Sequence, residues 1–199
     1  MVMFENLKNY HIILASNSPR RRELLGGLGI PFEVKVLPDI EESYPADLPV
    51  SQIAEFIARE KALAYRDLMA DDDLIITADT VVIVGDEVMG KPVDAADARR
   101  MLRKLSGVAH QVTTGVCLTT KQEQRHFSVT TDVTFKQLTD EEIDHYIEVY
   151  KPFDKAGAYG IQEWIGYIGV TSLNGSYFNV MGLPVQRIYT EISKISSRG

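Results

Sequence analysis

The order of patterns along this chain predicts a mixed α/β fold, a sheet flanked by helices within a single domain. Three observations carry that expectation. Short β-branched apolar runs alternate with segments of helical period from end to end. Capping residues stand where the helical segments begin. The balance of 45% hydrophobic and 25% charged residues is that of an ordinary globular protein. At 199 residues the chain can bury one good core or form one two-lobed domain with a cleft.

The first apolar run, "YHIILAS", suits a buried strand. Ser18 then caps a helix with Pro19 at its first position, where a missing N–H is harmless. Leu24, Leu25 and Leu28 share its spacing and Gly29 stops it. "PFEVKVL" alternates as a strand and leads into the acidic loop "PDIEESYPADLP". "SQIAEFIAREKALAYRDLM" is amphipathic, with Ile53, Phe56, Ile57 and Leu63 expected on one side. "LIITADTVVIVGDEVMGKP" predicts a strand continuing into a hairpin that turns at Gly85-Asp86. Asp94 caps the next helix and Gly107 ends it. "QVTTGVCLTT" and "HFSVTTDVTF" are β-branched strands, and Thr139 with Glu142 forms a capping box for "TDEEIDHYIEVY". "KPFDKAGAYGIQE" reads as a loop, "NGSY" as a hairpin turn and "GLPVQRIYTEISKI" as a closing helix. No repeat, low-complexity segment or linker marks a domain boundary.

Net charge of −7 and a pI near 5.1 argue against a general nucleic-acid partner. No run is long enough to span a bilayer, and "MVMFENLKNY" lacks the features of a signal peptide. The lone cysteine, Cys117, cannot form an internal disulfide and sits in an apolar strand as a small hydrophobe. A reducing compartment follows, and the expected location is cytoplasmic.

In "ILASNSPRRREL" three arginines open a helix whose first turn already carries partial positive charge. Negative charge nearby should compensate them. Strand, small-residue turn and helix N-terminus together make an anion site, and an arginine fork binds two phosphate oxygens at once. A solvated basic helix face is the plain alternative, and the P-loop pattern is absent. Asp79 interrupts an apolar run, so as a buried carboxylate it should face a cleft, a cation or a metal, or else mark a strand-ending turn. Lys91 is held extended between Gly90 and Pro92. Lys61 lies beside Glu60, where a solvated salt-bridge face is the usual explanation.

The stretches "LASNSPRRREL", "AREKA", "TADTVV", "GKP", "LRKLSG", "DKAGAYGIQ", "NGSY" and "MGLP" follow one another from about residue 11 to residue 190. In that ordered set the sequence resembles the Maf family, house-cleaning nucleoside triphosphate pyrophosphatases. "ADT" with "YGIQ" resembles the subgroup acting on dTTP and UTP rather than the one acting on 7-methyl-GTP. The resemblance implies an elongated, two-lobed single domain with a central cleft, similar to the ITP pyrophosphatases. That domain would span residues 11–199, behind an N-terminal extension of residues 1–10. It implies cleavage between the α- and β-phosphates to a nucleoside monophosphate and pyrophosphate, modified pyrimidine nucleotides included.

Residue by residue, Asp79 matches the family's catalytic base, and Arg20, Thr80 and Gln162 match its specificity positions. Ser16, Arg21, Lys61, Lys91 and Lys155 match phosphate-binding positions. Glu42 and Asp79 match the metal site, for Mg²⁺ or alternatively Mn²⁺. Glu163 and Trp164 depart from the family, where glycine or another small residue is common.

The residue types suit that chemistry. Cations must offset phosphate charge before water can approach, and Asp79 can orient or deprotonate the water or bind an ion that does so. The pair Glu41-Glu42 offers hard oxygen ligands, with a solvated acidic loop as the alternative. The four histidines lack metal-ligand spacing, so zinc is not expected. The Gln162 amide offers a donor and an acceptor to a uracil or thymine edge. Adjacent strand residues point to opposite faces, so Asp79 and Thr80 can both face substrate only if the strand breaks there, and such a break is predicted. The expected partner is a nucleoside triphosphate, without nucleic acid or membrane, and a homodimer is an allowed assembly. Two rivals are a non-catalytic nucleotide or nucleic-acid-binding regulator linked to septum formation and a phosphosugar-handling enzyme. Pyrophosphate release and base preference separate the three.

Overall fold

In the computed structural model, which describes residues 4–38, 40 and 42–198, the first apolar run supplies β1 (His11–Leu14). Behind it α1 (Pro19–Gly26) starts at the Ser18 cap, whose hydroxyl accepts from the Arg21 N–H. This helix ends sooner than its leucine spacing predicts. The N–H of Gly27 closes on Glu23, and Gly29, at φ 68°, belongs to the turn beyond, so Leu28 lies outside the helix. The two-residue β2 (Glu33–Val34) lies parallel to β1 and is much shorter than its alternation predicts. Next come α2 (Ile53–Tyr65) and β3 (Asp73–Val84), which runs parallel to β1 over Asp73–Ile76. Parallel neighbours need crossover connections, and α1 and α2 are those crossovers. A two-residue turn with Gly85 at φ 59° leads to β4 (Glu87–Met89), antiparallel to β3 as predicted.

The remaining elements are α3 (Ala95–Leu105), β5 (Ala109–Thr119), β6 (Gln124–Phe135) and α4 (Asp140–Tyr150). They are followed by α5 (Trp164–Gly169), β7 (Val170–Asn174), α6 (Tyr177–Met181) and α7 (Val185–Ile192). Asp94 caps α3, and the Thr139–Glu142 capping box of α4 is complete. Among the described residues seven strands form a mixed sheet in the order β2-β1-β3-β5-β6-β7, with β4 on β3. Flanked by helices, this is the mixed α/β architecture expected.

The chain divides into two compact units, each assembled from separate stretches. One comprises Met1–Asp79, Thr114–Val129 and Gly182–Gly199; the other comprises Thr80–Thr113 and Thr130–Met181. β3, β5 and β6 each pass from one unit to the other in mid-strand, so no linker composition marks the division.

In the first unit Ile13, Tyr65, Met69 and Ile75 pack together, and Ala58 and Ala62 pack on Cys117. Burial pushes the Cys117 thiol up to about 11, so it behaves as an inert hydrophobe. The buried side of α2 differs from the expected one. Leu63 is 46% exposed, whereas Ile53, Ala54, Ile57, Ala58, Ala62 and Tyr65 are buried. At 100° per residue Leu63 lies about 280° from Ile53, while Lys61 lies at about 80°, in the middle of the buried arc. Residues 4–10 are tied to this unit, since the Asn6 amide donates to the carbonyls of Ile192 (2.9 Å) and Ile195 (3.0 Å).

In the second unit the core gathers Val82, Met89, Leu102, Leu105, Phe135 and Tyr146. His110 packs edge-on to Phe135 and Tyr159, and burial pushes it down to about 4, so it is neutral at pH 7. "NGSY" corrects the sequence reading: it ends β7 and enters α6, a strand-to-helix turn rather than a hairpin. Gly175 sits there at φ 135° with the Thr131 side chain where a Cβ would go. The predicted break at Asp79-Thr80 is also absent, because β3 is unbroken from Asp73 to Val84. No helix among the described residues is long and apolar enough to cross a membrane.

Candidate active site

In the first unit α2 meets β3 through two side-chain bonds. The Thr77 hydroxyl donates to the Ala58 carbonyl at 2.6 Å, and the Lys61 ammonium donates to Asp79 Oδ1 at 2.8 Å. Thr77 and Asp79 share one face of the strand, and Ala58 and Lys61 lie a turn apart on the helix. Lys61 reaches Asp79 because it lies on the buried arc of α2. The same Nζ is 2.8 Å from Glu42 Oε1, giving a carboxylate–ammonium–carboxylate cluster. Side-chain exposure is 13% at Lys61, 12% at Asp79 and 45% at Glu42, so one carboxylate is enclosed and the other faces water. Tyr65 anchors the entry to the loop bearing Glu42: its hydroxyl donates to the Lys35 carbonyl and accepts from the Leu37 N–H. Glu41 lies outside the described residues.

Arg21 shows what compensates the arginine cluster. Its Nε donates to the Gly182 carbonyl at 2.8 Å and its Nη1 to the Ala78 carbonyl at 2.9 Å, next to Asp79 in the chain. Burial pushes its pKa down and the nearby charge of Arg20 adds to this, while Asp79 and Glu42 push it back up. A guanidinium stays protonated throughout. Carbonyl dipoles and two carboxylates thus supply the negative charge that the first turn of α1 lacks. Ser16 is buried, and its Oγ accepts from the Ser18 N–H at 3.2 Å, shaping the turn into α1. Arg20 is half-buried and Arg22 is exposed.

The second unit holds the other group of expected residues. Gly160–Glu163 form a turn closed by the Glu163 N–H on the Gly160 carbonyl at 3.0 Å, with Gln162 at its third position. The Gln162 Oε1 atom is buried and has no hydrogen-bond partner among the described residues. Such an orphaned acceptor calls for a donor from a ligand or water. Lys155 is buried and paired, at 2.8 Å to Asp154 and 3.1 Å to Glu163. Thr80 is half-buried on β3. Lys91 is exposed and has no ion-pair partner among the described residues, and the Gly90 carbonyl before it accepts from the Gly157 N–H at 3.0 Å.

The structure thus gathers Glu42, Lys61 and Asp79, with Arg21 anchored beside them, and separately gathers Lys155 with the Gln162 turn. Two participants escaped the sequence. Tyr146 reads there only as a core position at the spacing of Ile143 and Ile147. Glu163 stands out only as a departure from the family pattern. In the structure the Tyr146 hydroxyl bonds both the Glu163 carboxylate and the Gly160 N–H.

Glu42 and Asp79 already share one cation, the Lys61 ammonium, and hard carboxylate oxygens are the donors Mg²⁺ prefers. Among the described residues no group of three or more His, Cys, Asp or Glu could hold a metal ion. Mg²⁺ typically uses one or two carboxylates beside substrate phosphates, so the residues present fit it.

A buried carboxylate paired with an ammonium and set beside an anchored arginine on a mixed α/β sheet is an arrangement suited to phosphate chemistry. The chain belongs to the Maf family: the family model described as Maf-like protein matches residues 11–195. It is 66% identical to a protein from Phocaeicola vulgatus named dTTP/UTP pyrophosphatase, over 97% of this chain and all of that one. A protein of the same name from Parabacteroides distasonis is 60% identical, over 96% of this chain and 98% of that one. Another, from Flavobacterium johnsoniae, is 45% identical, again over 96% and 98%. Among solved structures the HAM1 protein from Coxiella burnetii matches with a TM-score of 0.50 at 16% identity, covering 94% of this chain and all of that one. That likeness shows the fold alone.

Proposed function

We propose that this chain hydrolyses dTTP and UTP between the α- and β-phosphates, releasing a nucleoside monophosphate and pyrophosphate, with modified pyrimidine nucleotides as further substrates. The observation that carries the chemistry is the Asp79–Lys61–Glu42 cluster, with Asp79 enclosed and Arg21 of α1 bonded to the adjoining Ala78 carbonyl. The pyrimidine preference is supported by relatives 45–66% identical over nearly full length that bear that name.

In this mechanism Arg20, Lys61, Lys91, Lys155 and the unsatisfied N–H groups of α1 offset phosphate charge. Arg21, bonded to the Ala78 carbonyl, holds the backbone next to Asp79. Lys61 directs the Asp79 carboxylate through its 2.8 Å bond, so that the carboxylate can orient a water molecule and take its proton. Gln162 Oε1 accepts from the N3–H of uracil or thymine, which satisfies the orphaned atom, and the C5 methyl needs only space. Arg20 is the further specificity residue, whereas Thr80 follows Asp79 in an unbroken strand and so points to the opposite face. A divalent ion, Mg²⁺ or alternatively Mn²⁺, would be held by Asp79 and Glu42; when bound it supplies neutralisation of phosphate oxygens and a more acidic water.

The proposed compartment is the cytoplasm, supported by a lone buried thiol, and the proposed substrates are free nucleotides, supported by the net charge of −7. A non-catalytic regulator is disfavoured, because an enclosed carboxylate among cations repels a phosphate ligand unless catalysis or a metal requires it. A panel of nucleoside triphosphates assayed for pyrophosphate, with and without Mg²⁺, tests the proposal. Release from dTTP and UTP well above CTP, ATP and GTP is expected, with loss on chelation. Absence of pyrophosphate from every substrate would refute the activity, and turnover without base preference would favour the phosphosugar alternative.

A further inference from the structure

We propose that Tyr146 and Glu163 are positioning residues that lock the Gly160–Glu163 turn and so fix Gln162 in its base-reading pose. This inference rests on the reading of Gln162 as the residue that recognises the pyrimidine. Tyr146 projects from α4 and is fully buried. Its hydroxyl oxygen accepts from the Gly160 N–H at 3.0 Å and its proton goes to Glu163 Oε2. One oxygen therefore bonds the first and last residues of the turn that bears Gln162. The other carboxylate oxygen of Glu163 pairs with Lys155 at 3.1 Å, and Asp154 holds that lysine from another side at 2.8 Å.

The turn has no slack. A Cβ at Gly160 would come within 3.1 Å of both Glu163 Cδ and Lys155 Cε. An orphaned acceptor such as Gln162 Oε1 relaxes towards water or a stray donor when its backbone is free to move. The Tyr146–Glu163 bond removes that freedom. Filling the core requires only the ring of Tyr146, which phenylalanine retains, and the bonds of the hydroxyl among the described residues are those to Gly160 and Glu163. Glu163, a departure from the family pattern, is thereby assigned a purpose: it closes the clamp and compensates the charge of Lys155.

The test compares kcat/KM for UTP and CTP in the full-length chain carrying Tyr146→Phe, Glu163→Ala, Glu163→Gln or Gln162→Ala, with melting curves to establish folding. Tyr146→Phe and Glu163→Ala should narrow the UTP:CTP ratio by about tenfold, mainly through loss on UTP. Glu163→Gln keeps an acceptor for the Tyr146 hydroxyl and should retain most of the ratio, a rescue that general destabilisation would not give. If Glu163→Ala fails to fold, Tyr146→Phe decides alone, since it removes a single oxygen. A folded Tyr146→Phe protein with the wild-type ratio, or with UTP and CTP reduced equally, overturns the inference. Gln162→Ala separates the two levels. If it leaves the ratio unchanged, the base-reading role of Gln162 fails; if it narrows the ratio while Tyr146→Phe does not, only the positioning role fails.

Discussion

Replacing Lys61 with methionine removes the ammonium shared by Asp79 and Glu42 while keeping a flexible apolar stem on the buried arc of α2. Removing one partner of a buried pair costs about 3–5 kcal/mol, because the other charge is left uncompensated. Two features of the site adjust that figure. Glu42 is 45% exposed, so its half of the cluster adds little. Arg21 still interacts with Asp79, so the stranded carboxylate is not wholly unsupported. A loss of about 2–3 kcal/mol is expected, which for a chain of this size lowers Tm by about 4–12 °C. Activity on UTP should fall by about two orders of magnitude or more, since the cation that directs Asp79 is lost. Thermal unfolding followed by circular dichroism, with pyrophosphate release measured on the folded fraction, reads both effects. A Lys61→Met protein that melts with the wild type and turns over normally would refute the pairing and the role of Lys61 together.

Asp79→Asn keeps the shape and an acceptor for Lys61, so turnover should drop by about two to four orders of magnitude with little change in Tm; near wild-type kcat would count against Asp79 as the base. Gly115→Ala would place a Cβ 2.3 Å from the Ala54 backbone, forcing α2 off β5. Tm and activity should fall together, by about 1–3 kcal/mol or more in stability, and calorimetry with a UTP assay checks this. The Glu191 carboxylate is held down to about 2 by Lys194, Arg125 and Arg187. Its folded pKa lies below the unfolded value, so its contribution is present above pH 4.5 and is lost as pH falls towards 2. Urea titrations should therefore show Glu191→Gln less stable than the wild type at pH 7 by about 1–2 kcal/mol, allowing for the exposure of Arg187 and Lys194. The gap should close at low pH.

Local signals in the sequence are legible where chemistry acts over one turn. Asp94 and Thr139 cap their helices, and Gly85-Asp86 turns the hairpin, because each device is completed within about four residues. Signals that depend on distant partners mislead. Leu63 looks like a core residue and Lys61 like a surface one until the small residues Ala54, Ala58 and Ala62 are recognised as the contact face. Asp79 was legible as a charge in need of a partner, but the partner itself lies on a helix that only packing brings near. The two units are invisible to composition because the chain crosses between them inside strands. Tyr146 is silent in the sequence and Glu163 shows only as a departure from the family pattern, because neither a hydroxyl in a core position nor a carboxylate in a loop signals its partner.

Phosphorus NMR of UTP incubated with the wild-type protein and Mg²⁺ identifies which bond is broken. Resonances of UMP and pyrophosphate should grow together in equal amounts, with no UDP and no early orthophosphate. Appearance of UDP with orthophosphate, or an unchanged triphosphate spectrum at high enzyme concentration, would contradict the proposed reaction at its root.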